Sequence, residues 1–261
     1  QEFLDHGKAP ADWSDGLKKE LRLMLDVTRN MRKYRKAAEG FIELDLPEVR
    51  VLCSEADNKI LGMVSKMPRE SEQLVEECML AANSAVGTEL GEKGIAGIYR
   101  VHPQPDPEKI AEFTGIMEDS FGLTPGDLTE RKACNAFLAG LPDDPRRPAI
   151  LSLMLRSMPR AYYLEKPALH FGLGKTRYAH FTSPIRRYPD LIVHQQLWNF
   201  DTKTRTRTAA TMTRVAADCS MKEENNDAAY FAANDRLKLR YLEERLDAGL
   251  DNFYEGVIVK V

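Results

Sequence analysis

A chain of 261 residues that is 43% hydrophobic and 30% charged reads as one large globular domain or two small ones with an ordinary buried core. No window approaches the roughly 18 apolar residues of a membrane-spanning helix, and the start QEFLDHGKAP lacks a signal-peptide profile, so no membrane partner and a cytoplasmic location are expected. The net charge of −3 argues against a protein that holds nucleic acid by diffuse surface charge alone.

Leu17, Leu21, Met24, Leu25 and Met31 recur at helical spacing, which predicts a helix over 15–37 with a basic C-terminal end that suits the helix dipole. Val49 and Val51 flank Arg50, SEADNK supplies turn residues, and Ile60, Leu61, Met63 and Val64 follow; residues 41–64 therefore read as a β-hairpin. After Pro68 a strong helix is expected, N-capped by Ser71, with Leu74, Val75, Cys78, Met79, Ala82 and Val86 as its apolar stripe and Gly91 and Gly94 at its end. IAGIYRVH (95–102) alternates like a strand until Pro103, and Asp106 with Pro107 opens a helix whose stripe is Ile110, Phe113 and Met117, stopped by Gly122. Two further helices are expected over 126–139 and 147–161, separated by LPDDPRRP, then a loop and short strand over 168–181. A helix over Tyr188–Phe200 and a long one over about 208–249 follow, the latter with the polar middle MKEENNDAAYFAAND. DNFYEGVIVKV reads as a strand that needs a partner sheet.

Four cysteines, Cys53, Cys78, Cys134 and Cys219, stand far apart with neither C-x-x-C nor His at zinc-ligand spacing, and are expected to be free, core-packed thiols. The run His170–His194, HFGLGKTRYAHFTSPIRRYPDLIVH, holds three histidines, four aromatics, a Thr-Ser-Pro turn and paired arginines. From Arg156 to Arg187 seven basic residues stand against one acid, Glu165, interleaved with aromatics. Cations that neutralise phosphates beside rings that stack bases are the ingredients of a single-stranded nucleic-acid track.

HFGLGKTRYAHFTSPIRRYPDLIVHQQL resembles the signature of the ribonuclease II and ribonuclease R (RNB) family of exoribonucleases, nearest its ribonuclease R branch. LDLPEVRVL is similar to that family's hairpin, LVEECMLAAN to its central helix, GIYRVHPQPDPEKI to its strand and Pro-rich turn, and LMLRSMPRAYY to the helix before the signature. CSMKEENNDAA resembles its long helix, and FYEGVIVKV the first strand of the OB-fold that follows.

The resemblance implies an α+β, mostly helical, C-terminal part of an RNB catalytic domain over 1–250, with a β-hairpin and short strands, and the start of an OB-fold RNA-binding domain over 251–261. It implies processive 3′–5′ hydrolysis of single-stranded RNA to nucleoside 5′-monophosphates with Mg²⁺, a metal that can activate water and neutralise phosphate charge. Arg186 matches the family's catalytic arginine, whose fork suits a phosphate. Glu76 matches an acid that contacts the 3′-terminal nucleotide, and Tyr99, Arg100 and His102 fall where the RNA channel is lined. Tyr178, His180, Thr182 and Ser183 would floor the site, with Arg187 and Tyr188 orienting the loop or contacting the backbone. His170 and His194 read instead as hydrogen-bonded core histidines.

The family's four clustered aspartates lie upstream of the hairpin, and the missing N-terminal half of the catalytic domain would have to supply them. Asp143–Asp144 and the Glu223, Glu224, Asp227 group do not pair convincingly with Arg186, and the latter reads as a solvated face, so no metal ligand is named. Leu44 stands where some members place a stacking phenylalanine. The chain alone is accordingly expected to bind RNA weakly and hydrolyse nothing; partners in an RNA-degradation complex are open, and the alternatives are a binding module or pseudoenzyme and a purely structural helical protein.

Overall fold

The computed structural model describes residues 1–44, 48–56, 59–66, 68–250 and 253. In chain order the elements are α1 (Glu2–His6), α2 (Asp15–Tyr34), β1 (Glu48–Cys53), β2 (Ile60–Lys66), α3 (Glu70–Glu92), β3 (Tyr99–Val101), α4 (Pro107–Ile116), α5 (Arg131–Gly140), α6 (Arg147–Ser157), β4 (Tyr162–Leu164), α7 (Tyr188–Asp201) and α8 (Ala209–Asp247). The α+β expectation holds: helices dominate, and each of the two small sheets among the described residues is an antiparallel pair, β1 with β2 and β3 with β4. The expected strand over 251–261 falls, apart from Phe253, outside the described residues.

Local chemistry sets most boundaries. Ser14 Oγ caps α2 by accepting from Leu17 N–H, and Asp106 caps α4 with Pro107 at its first position. Both α2 and α4 run on into single π-turns, Arg35–Glu39 and Met117–Phe121, closed by left-handed Gly40 and Gly122. The fifth helix begins at Arg131 rather than 126, because Asp127 Oδ1 accepts from both Thr129 N–H and its hydroxyl and holds a turn there. Helix α6 stops at Ser157, two residues before Pro159, short of the expected 161.

The fourth strand lies at Tyr162–Leu164, not within 168–181, where the backbone instead bonds to His102 and to α3. Residues 48–50 pair with 64–66 in register, Val51 faces Met63, and the ladder slips between Leu52 and Cys53.

Helix α3 corrects the expected apolar stripe. Its buried residues are Leu74, Glu77, Asn83, Gly87 and Leu90, whereas Val75 is 53% exposed and Cys78 is also exposed. Polar residues can occupy that face because each has a partner: Arg35, itself 3.7 Å above the Phe41 ring, donates from Nε to Glu77 at 3.1 Å and from Nη2 at 2.5 Å. The expected Ser71 cap is also replaced: Arg69 is the N-cap, Glu72 accepts from its N–H at 3.0 Å, and Ser71 donates to Gln1 Oε1. Of the four thiols only Cys134 is fully buried, so core packing fails for the exposed Cys53 and Cys78.

Three clusters form the core. One joins α4, α5 and α6 around Met117, Ile150 and Met154 and is closed by Phe171. A second gathers Leu90, Tyr99, Val101, Ala179 and Val193, and a third Ile98, Tyr163, Ile192, Met212 and Ala216. Ile192 and Val193 of α7 thus reach two clusters from adjacent positions, which fixes that helix and the loop before it.

Candidate nucleic-acid interface

The signature segment is held against α3 by one side chain. Asn83 donates from Nδ2 to the Tyr178 hydroxyl at 2.9 Å, its Oδ1 accepts from Phe181 N–H at 2.9 Å, and its carbonyl accepts from Ala179 N–H at 3.4 Å. Contact this close requires Gly87, where an added Cβ would stand 2.9 Å from the Arg177 carbonyl oxygen. Tyr178 O accepts from Arg100 N–H at 2.8 Å, so the segment bridges α3 and β3.

The turn that carries the arginines is fixed from the start of α7. Asp190 is fully buried; its Oδ1 accepts from Ser183 N–H at 2.8 Å, and its two oxygens accept from Arg187 Nε at 2.8 Å and Nη2 at 2.7 Å. A carboxylate in the first turn is also favoured by the helix dipole. Ser183 O accepts from the N–H groups of Arg186 and Arg187 at 3.3 and 3.0 Å, which tightens the turn. Arg187 is thereby committed to the protein. Arg186, one residue away, is exposed and has no ion pair among the described residues.

Beside this turn lies an open cleft of about 580 Å³ between α3 and the signature segment, with Glu76, Met79, Asn83, Tyr178 and Arg187 in its lining. The adjacent glutamates divide: Glu77 is buried against Arg35, while the Glu76 side chain is 50% exposed and faces the cleft 4.0 Å from Arg32. Tyr178 is nearly buried yet contributes to the wall, and burial raises the pKa of its hydroxyl.

The remaining expected residues separate. Tyr99 is 3% exposed within the second core cluster, where the inward phase of the short β3 strand puts it. Arg100 lies 4.7 Å above the Tyr163 ring and is paired with Glu223 of α8. His102 uses both nitrogens, Nε2 to the Pro159 carbonyl at 2.9 Å and Nδ1 accepting from Gly172 N–H at 3.1 Å, and burial lowers its pKa. His180 shares a 2.9 Å bond with the Tyr163 hydroxyl, and burial pushes its pKa down to about 3. Thr182 Oγ1 is buried without a partner among the described residues, Ser183 is half-buried, and Tyr188 is 53% exposed.

His170 and His194 are half-buried and hydrogen-bonded, His170 through Leu173 N–H and His194 through the Phe181 carbonyl. Asn83 and Asp190, which build this interface, were not singled out from sequence; a lone Asn in a helix and an Asp three residues into one carry no local sign of their distant partners. On α8, Glu224 is exposed and Asp227 lies 4.0 Å from Arg160 with both side chains more than half exposed, as a solvated face would have them, whereas Glu223 pairs with Arg100.

A hard divalent cation needs several oxygen ligands. Asp190 has its oxygens filled by Arg187 and Ser183, Glu72 is engaged by Lys66 and Arg69, and no group of three or more His, Cys, Asp or Glu side chains suited to a metal occurs among the described residues. The described residues do not fit a metal. No helix among the described residues is long and apolar enough to cross a membrane.

The RNB domain family model matches residues 1–203. The chain is 30% identical over 236 residues to ribonuclease R of Thermotoga maritima, covering 85% of this chain and 32% of that protein. It is 31% identical over 260 residues to ribonuclease R of Vibrio cholerae, covering 93% and 30% respectively. Among solved structures, Mycoplasma genitalium ribonuclease R in complex with ribose-methylated single-stranded RNA superposes with a TM-score of 0.85 at 24% identity, over 94% of this chain and 39% of that one. The chain therefore spans about a third of the length of the curated relatives it matches. With its signature turn, its α3 cleft and its family match in agreement, this chain belongs to the RNB domain family.

Proposed function

We propose that this chain is the RNA-gripping, C-terminal part of the catalytic domain of a 3′–5′ exoribonuclease, with Arg186 at the scissile phosphate. The observation that carries the reading is the contrast between neighbours: Asp190 holds Arg187 in the cleft wall and fixes the turn, leaving the adjacent Arg186 exposed and in no ion pair among the described residues. A guanidinium so placed can meet two phosphate oxygens at once and stabilise the extra negative charge of an in-line transition state. Glu76 in the cleft wall accepts hydroxyl hydrogen bonds from the terminal ribose, and Tyr178 with Met79 gives that nucleotide an apolar wall. Single-stranded RNA is the substrate because a cleft against one helix can take an unpaired 3′ end. The M. genitalium relative of the same fold is solved with RNA, both single-stranded and double-stranded.

Processive release of nucleoside 5′-monophosphates, a cytoplasmic setting and membership of an RNA-degradation complex complete this reading. Nucleases of the RNB family are generally metal-dependent. Magnesium is the cation the reading names, with ligands from outside the described residues. A second reading is an RNA-binding module without catalysis.

Both readings have the chain on its own bind RNA without hydrolysing it; release of mononucleotides from single-stranded RNA by the purified chain with Mg²⁺ contradicts that. In a protein that joins this chain to the rest of an RNB domain, Arg186→Ala lowers kcat by about 100- to 1,000-fold, with only the modest loss of RNA affinity that one phosphate contact accounts for, if Arg186 stabilises the transition state. No change in kcat overturns the exoribonuclease assignment of Arg186.

A further inference from the structure

The exposed side of α7 carries a feature that the cleft does not use. Tyr188, Leu191, Gln195 and Trp198 recur at spacings of three, four and three residues, which places them along one face of the helix. Pro189, Asp190, Ile192, Val193 and Gln196 occupy the opposite, buried face. Tyr188 is 53% and Trp198 70% exposed, and about 15 Å of helix separates them at 1.5 Å per residue. Other rings are exposed singly, such as Tyr34 at 67%; on α7 two lie on one face with Leu191 between them, and large amphipathic rings aligned in this way suit a contact surface.

The ends of this stripe are basic. Arg186 precedes it, and the loop after α7 presents Lys203, Arg205 and Arg207. Lys203 and Arg205 are exposed and in no ion pair among the described residues. Arg207 donates from Nη2 to Gln195 Oε1 at 2.9 Å, which ties the cationic loop to the middle of the stripe. The acids of the 183–208 stretch are Asp190, buried against Arg187, and Asp201.

We propose that this face of α7 is a second stretch of single-stranded RNA contact, continuous with the Arg186 turn, in which Tyr188 and Trp198 stack bases while Lys203, Arg205 and Arg207 meet phosphates. The proposal rests on the reading of the Arg186 cleft as an RNA site and extends the bound strand away from it. Charge complementarity selects the occupant: an apolar protein segment would use the rings and leave the cations at both ends unmatched, whereas a polyanion with flat apolar bases uses both.

Tryptophan fluorescence tests it in the whole chain. Trp13 and Trp198 are the two tryptophans, so Trp13→Phe leaves Trp198 as the sole reporter. An end-labelled oligouridylate is titrated while label anisotropy and Trp198 emission are followed together. The expected result is quenching that tracks anisotropy, about tenfold weaker binding for Trp198→Ala with most affinity kept by Trp198→Phe, and a salt slope smaller by about 1.4 in Lys203→Ala/Arg205→Ala. If RNA binds by anisotropy, and Glu76→Ala weakens it, while Trp198 emission and the Trp198→Ala affinity do not change, the stripe is overturned and the cleft stands. No binding at low salt overturns both. Self-association that Trp198→Ala abolishes, with RNA affinity unchanged, assigns the stripe to a protein contact and overturns the proposal.

Discussion

Asp190 and Arg187 form a two-point ion pair at the start of α7, with Asp190 wholly buried and the Arg187 side chain only 20% exposed. Because the same carboxylate holds Ser183 N–H, one buried charge sets the turn and thereby the outward course of Arg186. Removing one member of a buried pair strands the other and costs about 3–5 kcal/mol. Asp190→Ala is thus expected to lower stability by that order in urea denaturation, whereas exposed Arg186→Ala stays within about 0.5 kcal/mol. Equal stability of the two variants would contradict a clamping role for Asp190.

Arg35 and Glu77 make a second buried pair, joining the π-turn after α2 to α3. Arg35→Met and Glu77→Leu are each expected to cost about 3–5 kcal/mol alone, while the double change Arg35→Met/Glu77→Leu restores much of that loss because no uncompensated charge remains. Denaturation midpoints of the single and double variants measure the coupling; strict additivity would show the pair to be energetically idle.

These pairs mark where the sequence stops being legible. Helices α2, α4, α7 and α8 could be read from caps, prolines and apolar spacing, since those signals act within a few residues. Arg35 lies 42 positions from Glu77, and Asn83 lies 95 from Tyr178. A glutamate and an asparagine on the buried face of α3 look polar and exposed until those partners are known. The signature turn was legible as a motif, but which of its two arginines faces outward depends on Asp190, whose role appears only once the turn has folded back on α7. Tyr99 and Arg100 were legible as a strand, but three residues of alternation do not say that Tyr99 packs inward and that Arg100 meets Glu223 of α8.

Acid sensitivity follows from the histidines. Burial pushes His170 and His180 down to about 3, against about 6.5 in an unfolded chain. Between those values the unfolded chain takes up protons that the folded one refuses, so stability is full above about pH 6.5 and falls as the pH drops towards 3. Each group contributes at most about 1.4 kcal/mol per pH unit in that window. His180→Gln is expected to flatten the loss between pH 7 and pH 4.5, as read from urea midpoints; an unchanged acid arm would mean that His180 is protonated in the fold.

Gly87→Ala offers a test of packing against propensity. Alanine favours a helix interior over glycine by about 1 kcal/mol, yet the new Cβ would stand 2.9 Å from the Arg177 carbonyl and 3.0 Å from Ala179 N. Backbone atoms yield less readily than a flexible side chain, so a net loss of stability and of RNA affinity is expected. A more stable variant would show that the signature segment is not held tightly on α3.

The claim that Arg186 meets phosphate is tested most directly by the salt dependence of single-stranded RNA binding to the chain, compared between the parent and Arg186→Ala. Each phosphate contact in a single strand contributes about 0.7 to the slope of log affinity against log salt concentration. A slope smaller by about that amount in Arg186→Ala, with folding stability unchanged, is the predicted result. An identical slope and affinity in the two proteins would contradict it.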